Sequence, residues 1–313
     1  MEEYLAKMEI VSLNIRSISP KRMLLNMNKQ QYKIIVLSFL IIATFISHVH
    51  AASVDTVTTY STSMKKQIKA VVITPDGYAG AKELPVVYLL HGYSGNYADW
   101  VLKAKGFERA SDLYNLIIVC PDGGYSSWYW DSPVDSAYKY ETYISKELVR
   151  WVDSKYKTIK SRTGRGITGL SMGGHGALYL AFKHQDVYGA AGSMSGGVDI
   201  RPFPDNWEMT KRIGVYAENP GNWEKNTVIN MLYLIKPKSL ALIIDCGVDD
   251  FFYKVNENLH HQLLLRNIPH DYITRPGAHN WLYWNNAISY QLMFMSNYFK
   301  SSLTLSDRPG LTK

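Results

Sequence analysis

The stretch Gly169-Leu170-Ser171-Met172-Gly173 sets a serine between two glycines, where a short apolar segment gives way to a helical pattern. Glycines at these places let a strand and a helix crowd together, so that the serine side chain stands out on a sharp turn at the helix N-terminus. A serine hydroxyl alone is a weak nucleophile. It needs a base to take its proton, an acid to orient that base, and backbone N–H groups to hold the oxyanion. An ordinary helix cap would also explain a serine here. The rest of the machinery decides between the two.

Nine histidines compete for the role of base. His48 and His50 belong to the N-terminal leader. His91 precedes a glycine at a strand end and shapes that turn. His175 lies on the helix behind Ser171, and His184 ends it. His260 and His261 fall mid-helix, and His270 starts the last strand at the wrong edge. His279 follows the last strand and precedes a helix, which makes it the candidate base. The candidate acids are Asp245, inside a strand pattern, and Asp249 and Asp250 in the loop after it. Spacing alone does not choose between the last two. The oxyanion donors expected are the N–H of Met172 and a second N–H from the turn after "YLLHG", that of Tyr93.

These residues need a scaffold that brings them to one edge. "QIKAVVITPDGY", "LPVVYLLHGYSGN", "LIIVCPDGG", "GITGL", "GAAGSMSG", "SLALIIDCG" and "HDYITRPGAH" read as strands, several of them apolar throughout. Helical patterns at 137–156, 173–184, 255–266 and 281–299 lie between or after them. Apolar strands alternating with helices predict a mostly parallel sheet covered on both faces. Ligands in such sheets sit at the strands' carboxyl ends, where Ser171, the acidic loop and His279 all fall. The chain order Ser, acid, His is that of the α/β-hydrolase fold. The Pro-, Asn- and Trp-rich stretch at about 197–236 reads as a small cap inserted between two strands, within a single domain over 52–313.

Composition narrows the class. The chain of 313 residues is 46% hydrophobic, enough for a large core. Part of its +7 charge lies in the first 51 residues, which leaves 28 basic against 24 acidic side chains and no basic stripe after them. That excludes a nucleic-acid footprint. "IIVLSFLIIATFI" at 34–46 follows Lys29 and Lys33, is short for a membrane span, and ends near Val49-His50-Ala51. Residues 1–51 therefore read as a secretory signal peptide cleaved near Ala51 or Ala52, with export to the medium or periplasm and no stable span afterwards. Met27 suits a normal start, which makes residues 1–26 an extension ahead of it. Cys120 and Cys246 each end an apolar strand and read as free buried thiols. No Cys/His cluster has zinc spacing, and no metal or cofactor is expected.

The blocks "YLLHGYSGN", "PDGGYSSWYWDSP", "GLSMGGHGAL", "SMSGGVDIRP", "CGVDDFF" and "PGAHNWLYW" resemble, in that order, the esterase-D-type esterases. That group includes tributyrin esterases, feruloyl and acetylxylan esterases of carbohydrate esterase family one, and S-formylglutathione hydrolases. The resemblance spans about residues 55–300. It implies an α/β-hydrolase fold and a serine esterase mechanism. The family places its acid three residues after the glycine of the Cys-Gly block, which implies Asp250. It usually has Asp after the catalytic histidine, where this chain has Asn280.

The reading that follows is a secreted serine carboxylesterase acting through an acyl-enzyme. An S-formylglutathione hydrolase would use the same triad on a cytosolic thioester, and an acyltransferase would use a sugar hydroxyl in place of water. A carbohydrate-binding protein on an inactive hydrolase fold is the alternative from another class. Tyr125, Trp128, Tyr129 and Trp130 in one loop, and Phe203, Trp207, Tyr216 and Trp223 in the cap, bracket Ser171 in the sequence. Aromatic faces suit sugar rings or a phenolic acyl group. Trp128, Trp130 and Trp207 are expected to bind substrate, with Asp122 or Asp131 taking a hydroxyl. The expected substrate is a small ester or a polysaccharide ester, its acyl group feruloyl or acetyl.

Overall fold

The apolar runs become the inner strands of one eight-stranded sheet, ordered β1-β2-β4-β3-β5-β6-β7-β8. The strands are β1 Ser53–Ser61, β2 Lys66–Thr74, β3 Val86–Leu90, β4 Ile117–Pro121, β5 Arg165–Gly169, β6 Ala190–Met194, β7 Ala241–Gly247 and β8 Asp271–Arg275. β1 and β2 run antiparallel at one edge, and β4 through β8 form the parallel body with β3. This computed structural model describes residues 51–306 together with Lys29, Gln30 and Lys33. The rest of the expected signal peptide lies outside the described residues. Among the described residues, no helix is long and apolar enough to cross a membrane.

Alternate side chains of a strand point to opposite faces, and β3 shows the consequence. Val86, Tyr88 and Leu90 enter one buried cluster, with Leu178 and Phe182 of α1 (Met172–Lys183) and Leu259 and Leu263 of α2 (Tyr253–Leu265). Val87 and Leu89 enter the other, against Trp100 and against Ile288, Leu292 and Met295 of α3 (Trp281–Ser306). Burial of each such aliphatic side chain contributes about 1.5–3 kcal/mol, which is why β3 is apolar on both faces.

The helix expected at 137–156 runs through Tyr140–Thr142, a π-helical segment Tyr143–Leu148 and Val149–Lys155. α3 extends past the expected end at 299. The strand absent from the expectation is β1, because its edge position leaves most of "SVDTVTTYS" in solvent and so without an apolar run. In 197–236, Trp223 is fully buried and its indole Nε1 donates to the Gly214 carbonyl oxygen at 2.9 Å. This tryptophan is core and does not face substrate, and Tyr216 packs on it at 5.2 Å. Both cysteines are free and buried.

Sheet order reverses between β3 and β5: β4 follows β3 on one side while β5 pairs it on the other. The loops after these two strands diverge there and leave a crevice at their carboxyl ends. They carry Tyr93 and Ser171.

Candidate active site

The turn between β5 and α1 is held by backbone crowding. A Cβ on Gly173 would stand 2.5 Å from the Leu90 carbonyl oxygen and 2.6 Å from that of His91. Neither oxygen can retreat without disturbing β3. A Cβ on Gly169 would meet the same Leu90 oxygen at 2.7 Å. Ser171 itself sits at φ 55°, ψ −117°, a backbone state that costs on the order of 1–3 kcal/mol and persists only where its surroundings enforce it.

The sharp turn aims the serine at the end of β8. Ser171 Oγ lies 2.9 Å from His279 Nε2. On the other side of the imidazole, Nδ1 lies 3.0 and 2.9 Å from the two carboxylate oxygens of Asp250. An acceptor carboxylate at Nδ1 places the proton there and leaves Nε2 free to accept from the serine hydroxyl. The Asp250 side chain is fully buried, and its Oδ1 also accepts the Phe252 N–H at 2.8 Å.

The other acids have different partners. Asp249 Oδ2 accepts the Gly277 N–H at 3.2 Å and ties the two loops together. Asp245 is buried beneath, paired with Arg275 at 2.9 Å and accepting from the Tyr283 hydroxyl at 2.5 Å. Burial holds its carboxyl above the ordinary range in spite of those partners. The geometry therefore joins Ser171, His279 and Asp250 in one hydrogen-bonded line. Among the described residues, no protein acceptor takes the N–H of Tyr93 or Met172. Tyr93 and Ser171 border the same cleft, with Met172 next in the chain.

Two further histidines support the site from behind. His91 is buried, and its Nε2 accepts the Gly123 N–H at 2.7 Å, joining the loops after β3 and β4. His175 is fully buried on α1. Its Nε2 lies 3.0 Å from Trp130 Nε1, and its Nδ1 lies 2.9 Å from the Gly197 carbonyl oxygen. An indole nitrogen only donates, so Nε2 accepts and Nδ1 carries the proton. Burial pushes the His175 pKa down from 6.5 to about 4.

The unfolded chain therefore takes up a proton at position 175 before the folded one does. The stability this neutral histidine confers is complete above pH 6.5 and is lost as pH falls toward 4. Between pH 7.5 and 5 it should cost about 2 kcal/mol. Urea unfolding at the two pH values should show a smaller loss in His175→Gln, whose amide can serve both partners. An equal loss in both proteins would show that His175 does not titrate this way.

The cleft holds about 320 Å³. Tyr93, Trp207, Phe251, Trp281 and Trp284 give it an aromatic wall, and Asp99 and Lys103 border it as an ion pair at 2.9 Å. Phe251 lies 4.2 Å, ring to ring, from His279, and Trp284 meets the same imidazole edge-on at 4.9 Å.

Of the residues expected to bind substrate, Trp207 lines the cleft and four do not. Trp128 and Trp130 are buried, stacked on one another at 5.6 Å, with Trp130 bonded to His175. They are the packed floor behind the site, because their loop turns inward beneath α1. Asp131 accepts from the Thr142 N–H and hydroxyl at 2.9 and 2.6 Å, and Asp122 accepts the Gly124 N–H at 2.8 Å. Both carboxylates are used by their own loops. The wall residues absent from the expectation, Phe251, Trp281 and Trp284, follow Asp250 or His279 closely in sequence. That proximity was the available signal.

Residues 61–295 match the family described as "Putative esterase". An acetyl esterase of Caldicellulosiruptor saccharolyticus is 27% identical over 257 residues, covering 76% of this chain and 96% of that protein. A solved ferulic acid esterase superposes with a TM-score of 0.70 at 27% identity, over 80% of this chain and 99% of that one. The S-formylglutathione hydrolase FrmB of Staphylococcus aureus superposes with a TM-score of 0.69 at 22% identity, over 80% of this chain and all of that one. These likenesses and the strand order make the fold that of an α/β-hydrolase.

Proposed function

The chain belongs to the Putative esterase family and is an ester hydrolase, and from that premise we propose that Ser171, His279 and Asp250 are its catalytic triad. The observation that carries the proposal is the unbroken line from Ser171 Oγ through His279 to Asp250, with every contact at 2.9–3.0 Å. Ser171 attacks the ester carbonyl while His279 Nε2 takes its proton. Asp250 holds the imidazole and stabilises the imidazolium. The N–H groups of Met172 and Tyr93 receive the oxyanion, each such donor being worth about 3 kcal/mol in the transition state. His279 then protonates the departing alcohol. Water repeats the sequence on the acyl-enzyme.

The same proposal extends to substrate and place. The enzyme is exported after cleavage near Ala51 or Ala52, leaving 52–313 as the working domain with 197–236 as its cap. It releases feruloyl or acetyl groups from plant polysaccharides. Support comes from the leader pattern at 34–51, from the aromatic wall beside Ser171, and from relatives named for acetyl and ferulic acid esters. A planar phenolic acyl group would find aromatic surface in a cleft lined by Trp207, Trp281 and Trp284.

Enzyme recovered from its host's medium, with an N-terminus at Ala52 or Ser53, should cut methyl ferulate with kcat/KM about tenfold or more above S-formylglutathione; a hydrophobic pocket discriminates by roughly 1–3 kcal/mol per methylene. 4-Nitrophenyl acetate should also be cut. A preference for the thioester, or full-length protein retained in the cytosol, overturns the substrate proposal and leaves the esterase assignment standing.

A further inference from the structure

Away from the triad, α2 carries Asn258 and Gln262, and Arg266 caps its C-terminus one turn further on. Residues four apart on a helix stand over one another on a single face, so these three form a polar stripe. Facing them are Lys225 of the helix Pro220–Asn226, and Asn230 and Tyr233 of the 3-10 segment Val228–Leu234. Between the two walls lies an open groove of about 550 Å³. It shares no lining residue with the catalytic cleft.

Two features of the groove point to a ligand. Tyr233 is 75% exposed, and its ring stacks on no other aromatic among the described residues. An exposed aromatic amid amides is the combination that takes a sugar: the ring covers the apolar face of the pyranose, and Asn and Gln both donate to and accept from its hydroxyls. The second feature is charge. Arg201 is occupied by Asp199 at 2.8 and 2.9 Å and by Glu224 at 3.1 Å. Glu224 also accepts from the Asn230 amide. Lys225 and Arg266 make no ion pair among the described residues. The groove thus keeps two uncommitted cations, and a guanidinium fork matches a carboxylate in geometry as well as charge.

We propose that this groove is a noncatalytic binding site for a carboxylate-bearing polysaccharide, a chain containing uronate sugars. It deepens the polysaccharide reading above, and rests on it for the choice of a glycan over another anion. Tyr233 stacks on one sugar, the amides of α2 bond its hydroxyls, and Arg266 and Lys225 pair with uronate carboxylates. The site holds the polymer while ester groups along it reach Ser171.

Affinity electrophoresis tests this, with the full enzyme run through gels containing glucuronoxylan, polygalacturonate or neutral arabinoxylan. The two acidic polymers should retard it, and the neutral one at least fivefold less. Tyr233→Ala and Arg266→Gln should each weaken retardation about tenfold while leaving kcat/KM for 4-nitrophenyl acetate unchanged. Ser171→Ala should be retarded like the unaltered protein, which separates this site from the catalytic proposal. Substitution of an exposed cation that does not line the groove, Lys160→Gln, should change nothing. Equal retardation by neutral arabinoxylan, no retardation at all, equal weakening by Lys160→Gln, or stronger capture by phosphatidylglycerol vesicles would each overturn the proposal. Failure on methyl ferulate with retardation intact would overturn only the acyl-group reading.

Discussion

Ser171→Ala should lower kcat on 4-nitrophenyl acetate by about 10³-fold or more, and His279→Ala should do the same. The serine variant keeps the Cβ and therefore the backbone geometry of the turn, so circular dichroism and the unfolding midpoint should stay at their unaltered values. Combining the two substitutions should cost little more than either alone, because a nucleophile without its base and a base without its nucleophile fail at the same step. A fluorophosphonate probe should label the unaltered protein at Ser171 and leave Ser171→Ala unlabelled. Ser195 is the natural rival, since it too follows a strand at the catalytic edge with a positive φ of 50°. It is fully buried and accepts the Trp284 indole N–H at 3.1 Å, which removes it from contact with substrate. Labelling of Ser171→Ala, or retention of more than a tenth of the activity, would place the nucleophile elsewhere.

What was legible in the residues, and what was not, follows from how each feature is encoded. β3 and β4 are buried on both faces, so their apolar runs announce them. β1 lies at the sheet's edge, where one partner and mostly solvent-facing side chains leave a sequence that looks like a polar loop. The meeting of Ser171 and His279 was readable because each follows the carboxyl end of a strand, and those ends lie along one edge of a parallel sheet. Of the aromatic wall, Trp207 was readable and most of the rest was not. Composition says that Trp128, Trp130 and Trp223 are present but not which way their loops turn. All three went into the core, where an indole can bury its large surface and still find an acceptor for its N–H. The residues that reach the cleft, Phe251, Trp281 and Trp284, do so because they are carried by the turns that position Asp250 and His279.

The choice of acid is the sharpest case, because two adjacent aspartates satisfy the same spacing and only the local backbone separates them. Asp250 is buried and offers both oxygens to His279 Nδ1, whereas Asp249 is exposed and bonds the Gly277 N–H. Asp250→Asn should lower kcat by about 10³- to 10⁴-fold with little change in the unfolding midpoint. An amide in that place can turn its NH₂ toward Nδ1, which then becomes the acceptor. The proton moves to Nε2, and the imidazole can no longer accept from Ser171. Asp249→Asn keeps an oxygen for the Gly277 N–H and should hold kcat within about threefold. Asp245→Asn separates a third role: it turns one oxygen that accepts from Arg275 or from the Tyr283 hydroxyl into an NH₂ facing a donor, and should lower stability by about 1–3 kcal/mol. Its kcat should fall less than that of Asp250→Asn when measured well below the unfolding midpoint. Steady-state kinetics and thermal unfolding on the three variants would read these effects independently. An inactive Asp249→Asn beside an active Asp250→Asn would assign the carboxylate to the exposed loop position and require His279 to swing away from Asp250 during turnover.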